Sequence, residues 1–541
     1  MRLLRVFFVI AFLAIGGKAV AVTVGDSHLA AIAREQQVRT VTLPAHRGAI
    51  LDRDGVELAV DQAARTVYAT PYMLGDPREA AYRLAFVLKL KYRDVYRAIK
   101  DRKSGFAYVA RQADPVLAAK ATALDLPGVA SYNEEKRVYP LKDAAAQVVG
   151  YAGTDGRGLA GMEYRYDRQL AGKAGSQVVV QDPAGQALHT MQSVQPTPGQ
   201  DVRLTIDNGI QLEADRVLAD TVRRFHAKGG TAIVENPRTG EIYAISNVPL
   251  LNANKFGAKP ADQGNKAIIY TYEPGSTFKM VTVAGALSDG AVSPSTSFLL
   301  PPALRVGDRV IHDAEQRGTE RMTVRKILAV SSNIGAVTIG ERMGKTGLLD
   351  WIHRFGFGQL TGIDFPGEVP GFVLPGDQWW SSTIGNVPMG QGISVTPIQM
   401  VAAYGAIANG GVMMKPYLTA QVGAHVKKPA AGRRIVTVKV AAELRSMLSD
   451  VVADGTGVLA QIPGYVVAGK TGTAQKALPG GGGYSKTNYV ASFIGMVPAR
   501  DPQLIVAVVV DEPHPYWGGT VAAPAFRDIA SYALQRLEIA P

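Results

Sequence analysis

Apolar and polar positions change their period several times along the chain, and each change marks an element. Residues 1–26, MRLLRVFFVIAFLAIGGKAVAVTVGD, carry an apolar stretch from Val6 to Val24 interrupted only by Lys18. A bilayer core takes roughly 20 apolar residues as a helix, so the stretch spans if Lys18 extends its amine to the far interface. Arg2 and Arg5 ahead of it favour a cytoplasmic N-terminus and an exported remainder. Ala19-Val20-Ala21 also fits a signal-peptide cleavage site, and both readings place the bulk outside the cytoplasm. Beyond it, VRTVTLPAHRGAILDRDGVELAV alternates about Asp54-Gly55 and predicts a hairpin. Helical periodicity with many charges from Arg78 to Lys103 predicts a pair of surface helices.

A Pro/Gly-rich linker in VQPTPGQDVRLTIDNGIQLEA marks a boundary, followed by a short strand and a helix from Asn208. The hairpin GGTAIVENPRTGEIYAISN turns at Asn236–Gly240, and its sheet partners, YVVAGKTGT, YVASFIGMV and QLIVAVVVDE, come some two hundred residues later. A helical stretch lies between them, and a last helix is predicted from Ala523 to Leu537. Strands at both ends with helices between predict an α+β domain, an antiparallel sheet flanked by a helical lobe. The expected division is an anchor over 1–24, a mixed N-terminal pedestal over 25–198 and a catalytic domain over 199–541. Beyond the PGGGG loop at Pro479–Gly483, no repeat or low-complexity tract stands out.

Composition removes several function classes. A chain of 541 residues has room for two or three domains, and 47% hydrophobic with 19% charged residues argues against extensive disorder. The net charge of +12 comes from scattered residues without a basic block, which argues against nucleic acid as a partner. Absence of cysteine excludes thiol catalysis, disulfides and Cys-ligated zinc, and the eight histidines include no pair at helical metal spacing.

GYVVAGKTGT, residues 464–473, fits the phosphate-loop pattern G-x-x-x-x-G-K-[ST] letter for letter. Such a loop needs backbone amides wrapped on an anion and a helix directly after it. Tyr465-Val466-Val467-Ala468 instead favours a strand, and GTAQKALPGGGG cannot open a helix, so nucleotide is not an expected partner. The competing reading makes Lys470-Thr471-Gly472 one element of a serine acyltransferase. Ser276 and Lys279 form the chain's one Ser-x-x-Lys, placed after Pro274-Gly275 where a helix begins, with the amine one turn from the hydroxyl. Lysine can deprotonate serine only if burial or a second cation lowers its pKa. Ser331 and Asn333 flank Ser332 in AVSSNIGAV and meet in one site only if the chain turns there. Gly472 offers no side chain to block a peptide lying along the strand edge. A second Lys-Thr-Gly at 345–347 follows Gly344, a helix C-cap candidate, and reads as an interhelical turn.

Ser276-x-x-Lys279, Ser331-x-Asn333 and Lys470-Thr471-Gly472, in that order, resemble the penicillin-interacting serine enzymes. HRGAILDRDGVELA, RVYP and GLAGMEYRYDRQLAGKAG resemble N-terminal signatures of class B penicillin-binding proteins. NPRTGEIYAIS, YEPGSTFK, PMGQGISVTPIQMVAAYGAIANGG and VAGKTGTAQK resemble their transpeptidase domain, with Asn333 and the C-terminal strands nearest the cell-division (FtsI) type. The resemblance implies a transmembrane-anchored, periplasmic D,D-transpeptidase of the inner membrane that needs no cofactor or metal. Lys279 would activate Ser276 against the penultimate D-Ala of a peptidoglycan stem peptide, and Ser331 would relay a proton to the leaving D-Ala. Lys470 would set that serine's electrostatics, Asn333 would hold the peptide amide, and Thr471 and Thr473 the terminal carboxylate. Backbone N–H groups of Ser276 and Thr473 would form the oxyanion hole. Implied partners are stem peptides, β-lactams, a membrane glycan polymerase of the FtsW type and other divisome proteins. An elongation-type transpeptidase, a carboxypeptidase, a serine β-lactamase or β-lactam sensor, and a division scaffold are the alternatives.

Overall fold

A computed structural model describes residues 2–25, 38–181, 187–255, 263–478, 480 and 483–541. Most of the PGGGG loop therefore lies outside the described residues. The chain forms two compact units, and neither is one stretch of sequence. Met1–Gly48, Ala63–Glu135 and Ala171–Gln200 make the smaller; Ala49–Gln62, Lys136–Leu170 and Asp201–Pro541 make the larger. Two segments ahead of the boundary expected at 198/199 thus fold with the larger unit. Backbone pairing explains this. Ile50–Leu51 runs parallel to Val202–Leu204, and Arg53 N–H donates to Ile206 O at 2.9 Å. A buried ion cluster ties the same segments together, with Arg137 Nε on Glu163 Oε1 at 2.6 Å and Nη1 on Asp61 Oδ1 at 3.1 Å. The Asp54-Gly55 turn closes on Asp52, whose Oδ1 accepts from Asp54 N and Val56 N, while Gly55 takes φ +91°.

In the smaller unit the helix pair spans Pro77–Leu88 and Tyr92–Ile99. Asp76 caps the first through Arg78 N, and Lys89 ends it in the left-handed conformation. Leu84, Leu88, Val95 and Ile99 face one core with Val67 and Val109 from neighbouring strands. A separate antiparallel sheet runs Val38–Leu43, Gly175–Gln181, Ala187–Val194. The N-terminal stretch is a helix, Arg2–Gly25, of 24 residues. Among the described residues, no helix meets both the length and the apolarity needed to cross a membrane.

The larger unit is built on five antiparallel strands: β1 (Gly229–Glu235), β2 (Ile242–Val248), β3 (Ala468–Ala477), β4 (Tyr484–Val497) and β5 (Leu504–Asp511), in spatial order β2-β1-β5-β4-β3. The apolar run in β5 reflects cover on both faces. Ile505, Ala507 and Val509 enter one core, and Leu504, Val506, Val508 and Val510 the other. Helix α1 (Asn208–Arg224) and the C-terminal helix α7 (Gly518–Arg536) share the second core. The first core continues into a helical lobe of α2 (Lys279–Ser288), α3 (Val324–Ala329), α4 (Asn333–Arg354), α5 (Pro397–Ala408) and α6 (Val438–Ala453). Helix α7 begins five residues before the sequence reading placed it, because Pro524 sits inside the helix rather than at its start. Strand β3 is an edge strand, so alternate backbone groups of the Lys470–Thr473 segment have no sheet partner.

Candidate active site

Ser276 lies in a 3-10 turn, Gly275–Phe278, that runs straight into α2. The turn is held from below by Tyr404 of α5, whose hydroxyl donates to Thr277 O at 2.8 Å, and internally by Thr277 Oγ1 on Pro274 O at 2.8 Å. Gly275 takes φ +54° and donates to Gly390 O at 3.0 Å. A Cβ on Gly390 would stand 2.1 Å from Gly275 O, so the PMGQG segment packs backbone on backbone against the nucleophile turn.

Lys279, the first residue of α2, is 1% exposed. Its Nζ reaches Ser331 O at 2.6 Å, Asn333 Oδ1 at 2.7 Å and Ser331 Oγ at 3.2 Å. Burial lowers this amine to about 7; the Asp313 carboxylate opposes the fall and Arg317 adds to it. With two N–H bonds given to the oxygens of Ser331 and Asn333, a neutral amine keeps a lone pair for a hydroxyl proton. Among the described residues Ser276 Oγ has no hydrogen-bond partner. Such contacts are often long in a resting site and tighten on substrate.

The middle motif occupies a break between α3 and α4. Ser331 adopts φ +60°, unusual for a residue with a Cβ, and Ser332 caps α4 through Gly335 N. This turn puts Ser331 and Asn333 on the same amine, which a continuous helix would forbid. Asp313, which the sequence reading did not single out, holds the break. Its carboxylate accepts from Ser332 Oγ at 3.0 and 2.9 Å, Asn333 N at 2.6 Å and Ile334 N at 3.1 Å. Neither acid in IHDAEQRG, Asp313 or Glu315, carries a motif signal.

Lys470 is fully buried in β3, with Nζ 3.2 Å from Thr471 O. Burial pushes its amine well below the ordinary range, and the nearby Lys279 charge pushes the same way. Two buried amines side by side disfavour a doubly protonated pair. Thr471 is 6% exposed, and its Oγ1 is bonded to Thr456 Oγ1 at 2.6 Å. Thr473 and Gln475, further along β3, line a cavity of about 270 Å³ together with Ser276, Asn333, Arg309, Gln391 and Tyr484. The Thr473 hydroxyl accepts from Gly518 N at 3.0 Å and keeps its proton to donate. Gly472 faces the nucleophile rather than an open edge: a Cβ there would lie 2.3 Å from Ser492 Oγ, 3.0 Å from Thr277 Cγ2 and 3.1 Å from Pro274 O. The glycine lets β3 close on the Ser276 turn. By contrast, Lys345 and Thr346 are exposed on α4, just after Gly344 breaks the helix with φ 71°. Tyr484 donates to Glu273 Oε1 at 3.2 Å, which also accepts from Gly392 N at 3.1 Å.

Residues 230–531 match the penicillin binding protein transpeptidase domain, and residues 42–204 the penicillin-binding protein dimerisation domain. The chain is 33% identical over 542 residues to the probable peptidoglycan D,D-transpeptidase PbpC of Pseudomonas aeruginosa, covering 99% of this chain and 94% of that one. It is 31% identical over 521 residues to the peptidoglycan D,D-transpeptidase FtsI of Escherichia coli, covering 94% and 86%. Among solved structures it resembles penicillin binding protein 3 of Mycobacterium tuberculosis complexed with aztreonam, with a TM-score of 0.73 at 29% identity over 92% of this chain and 98% of that one.

Proposed function

Since the chain belongs to the class B penicillin-binding proteins and is a peptidoglycan D,D-transpeptidase, we propose that it cross-links stem peptides through an acyl-enzyme on Ser276, in septal wall synthesis. The observation that carries this reading is the meeting of Lys279 Nζ with Ser331 and Asn333 beside a cavity lined by Ser276, Asn333 and Thr473.

The Ser276 hydroxyl gives its proton to neutral Lys279 as Oγ bonds to the penultimate D-Ala carbonyl. Backbone N–H groups of Ser276 and Thr473 take the oxyanion, with Thr473 lying on the unpaired edge of the sheet. Collapse breaks the peptide C–N bond, and the proton on Lys279 passes through Ser331 Oγ, 3.2 Å away, to the departing D-Ala amine. Lys470, buried in β3 with its amine pushed down by burial and by the Lys279 charge, sets the electrostatics around Ser331 as a neutral amine. Asn333 holds the peptide amide. The Thr473 hydroxyl takes the terminal carboxylate, while Thr471, turned onto Thr456, supports β3 from behind. An acceptor amine then attacks the ester and releases Ser276. The β-lactam carbonyl meets the same hydroxyl.

The N-terminal segment would hold the enzyme in the inner membrane, a reading supported by the apolar run Val6–Val24 behind Arg2 and Arg5. This would place the catalytic unit beside an FtsW-type polymerase and other divisome proteins. Asn333 in the middle motif favours the septal role. The test is replacement of the chromosomal copy by Ser276→Ala. Filamentous cells with lowered cross-linking are expected; rounded cells would assign elongation instead, and unchanged cross-linking would sink the transpeptidase role of Ser276.

A further inference from the structure

Two buried amines and a half-buried guanidinium meet where the mechanism needs a neutral base. Lys279 and Lys470 are both buried and electrostatically coupled, and the Arg317 charge also reaches Lys279. One carboxylate acts on Lys279 in the opposite sense to burial and Arg317, from the segment that carries Arg317. That carboxylate is Asp313. It follows the strand Arg309–Ile311, whose Arg309, Val310 and Ile311 line the cavity, and it ends at the break between α3 and α4.

Asp313 has two separable connections to the base. The first is geometric. It accepts from Ser332 Oγ, Asn333 N and Ile334 N, while the preceding carbonyl, His312 O, accepts from Asn333 Nδ2 at 2.9 Å. Asn333 is therefore held at both backbone and side chain, with its Oδ1 left to receive Lys279 Nζ. An acid at the first turn of α4 also suits the exposed amides there. The second connection is charge. Asp313 favours the protonated amine, whereas Arg317, paired with Glu315 at 3.3 Å, disfavours it. Ser331 and Asn333 face the same amine as neutral dipoles.

We propose that Asp313 is a positioning residue of the transpeptidase site, its carboxylate fixing the Ser331–Asn333 turn on Lys279 and, with Arg317 as its opposite, setting the charge that this amine faces. The proposal rests on the acyl-enzyme reading above. Asparagine at 313 keeps the Oδ1 acceptor for Ser332 Oγ, Asn333 N and Ile334 N and removes the charge, with an amide N–H in place of Oδ2. Alanine removes both.

The test is the rate of Ser276 acylation by a fluorescent penicillin against pH, on the full chain in detergent, with thermal melting as a check on folding. Asp313→Asn lowers the amine further, so the acid limb of the profile moves to lower pH, by about one unit for a nearby charge. Arg317→Gln moves it the opposite way. Asp313→Ala slows acylation at every pH. A purely structural role predicts that Asp313→Asn and Arg317→Gln leave the midpoint where it is in the wild type, and that result overturns the proposal. Movement of both midpoints in the same direction overturns it as well. Wild-type protein labelled at Ser276 with unmoved variants removes Asp313's role alone; wild-type protein that does not label at Ser276 removes the acyl-enzyme reading with it.

Discussion

The chain contains the tripeptide Lys-Thr-Gly twice, and its surroundings predict opposite outcomes for one substitution. At Gly472 an added Cβ would stand 2.3 Å from Ser492 Oγ, 3.0 Å from Thr277 Cγ2 and 3.1 Å from Pro274 O. Carbon atoms in contact settle at about 3.5–4.0 Å. The Ser492 hydroxyl can swing aside, but Pro274 O is backbone, so β3 and the nucleophile turn must part by several tenths of an ångström. Overpacking of this kind costs about 1–3 kcal/mol. Ser276 lies between Pro274 and Thr277, so the displacement reaches the reacting atom itself. A misplacement near 1 Å costs on the order of 100-fold in rate, and we expect Gly472→Ala to acylate about 10- to 100-fold more slowly. At Gly347 a Cβ would meet only Met343 Cβ, at 3.7 Å. Gly347→Ala should leave acylation unchanged and stabilise α4 by about 0.5–1 kcal/mol. Second-order rate constants with a fluorescent penicillin, alongside melting curves, give both readings. Wild-type acylation by Gly472→Ala, or equal effects of the two substitutions, would refute the packing argument.

Two further outcomes follow from buried charge. Glu235 is buried in β1 with Oε2 unpartnered, and burial raises its carboxyl from 4.5 to about 8. Between those values the unfolded chain binds fewer protons than the folded one, so stability falls as pH rises from about 4.5 to about 8 and levels off beyond. Glu235→Met should remove that slope, gaining on the order of 3 kcal/mol at about pH 7 and little at about pH 4.5; equal gains at both pH values in denaturant melts would contradict it. Arg137→Ala removes the buried guanidinium that bonds both Glu163 and Asp61 and should lower stability in the same melts, by about 3 kcal/mol. An unchanged midpoint would show that the cluster carries no such weight.

The site was legible in sequence where its chemistry depends on residue types at short spacing. Ser276 and Lys279 are one turn apart, and the residues Tyr465–Ala468 argued against a phosphate loop, although the strand expected there begins only at Ala468. The five-stranded sheet was legible too, since apolar runs and the Asn236–Gly240 turn mark its strands. What escaped are contacts between segments distant along the chain. Gly472 is glycine because of Pro274 and Thr277, about two hundred residues earlier, and the Asp313 carboxylate bonds residues 19 and 20 positions later. Thr471 and Thr473 alternate with Gly472 in one short motif, yet only Thr473 lines the cavity. The division into units was hidden for a similar reason. Linker composition marks where the chain leaves a body, whereas residues 49–62 and 136–170 are claimed by backbone pairing and the Arg137 ion cluster.

The central claim is that Lys279 makes the Ser276 hydroxyl the acylated nucleophile. Mass spectrometry of the peptide carrying the penicillin adduct tests it most directly. The account predicts one adduct, on Ser276, absent from Lys279→Ala protein that still melts cooperatively. An adduct on another residue, or undiminished labelling of Ser276 without the Lys279 amine, would contradict it.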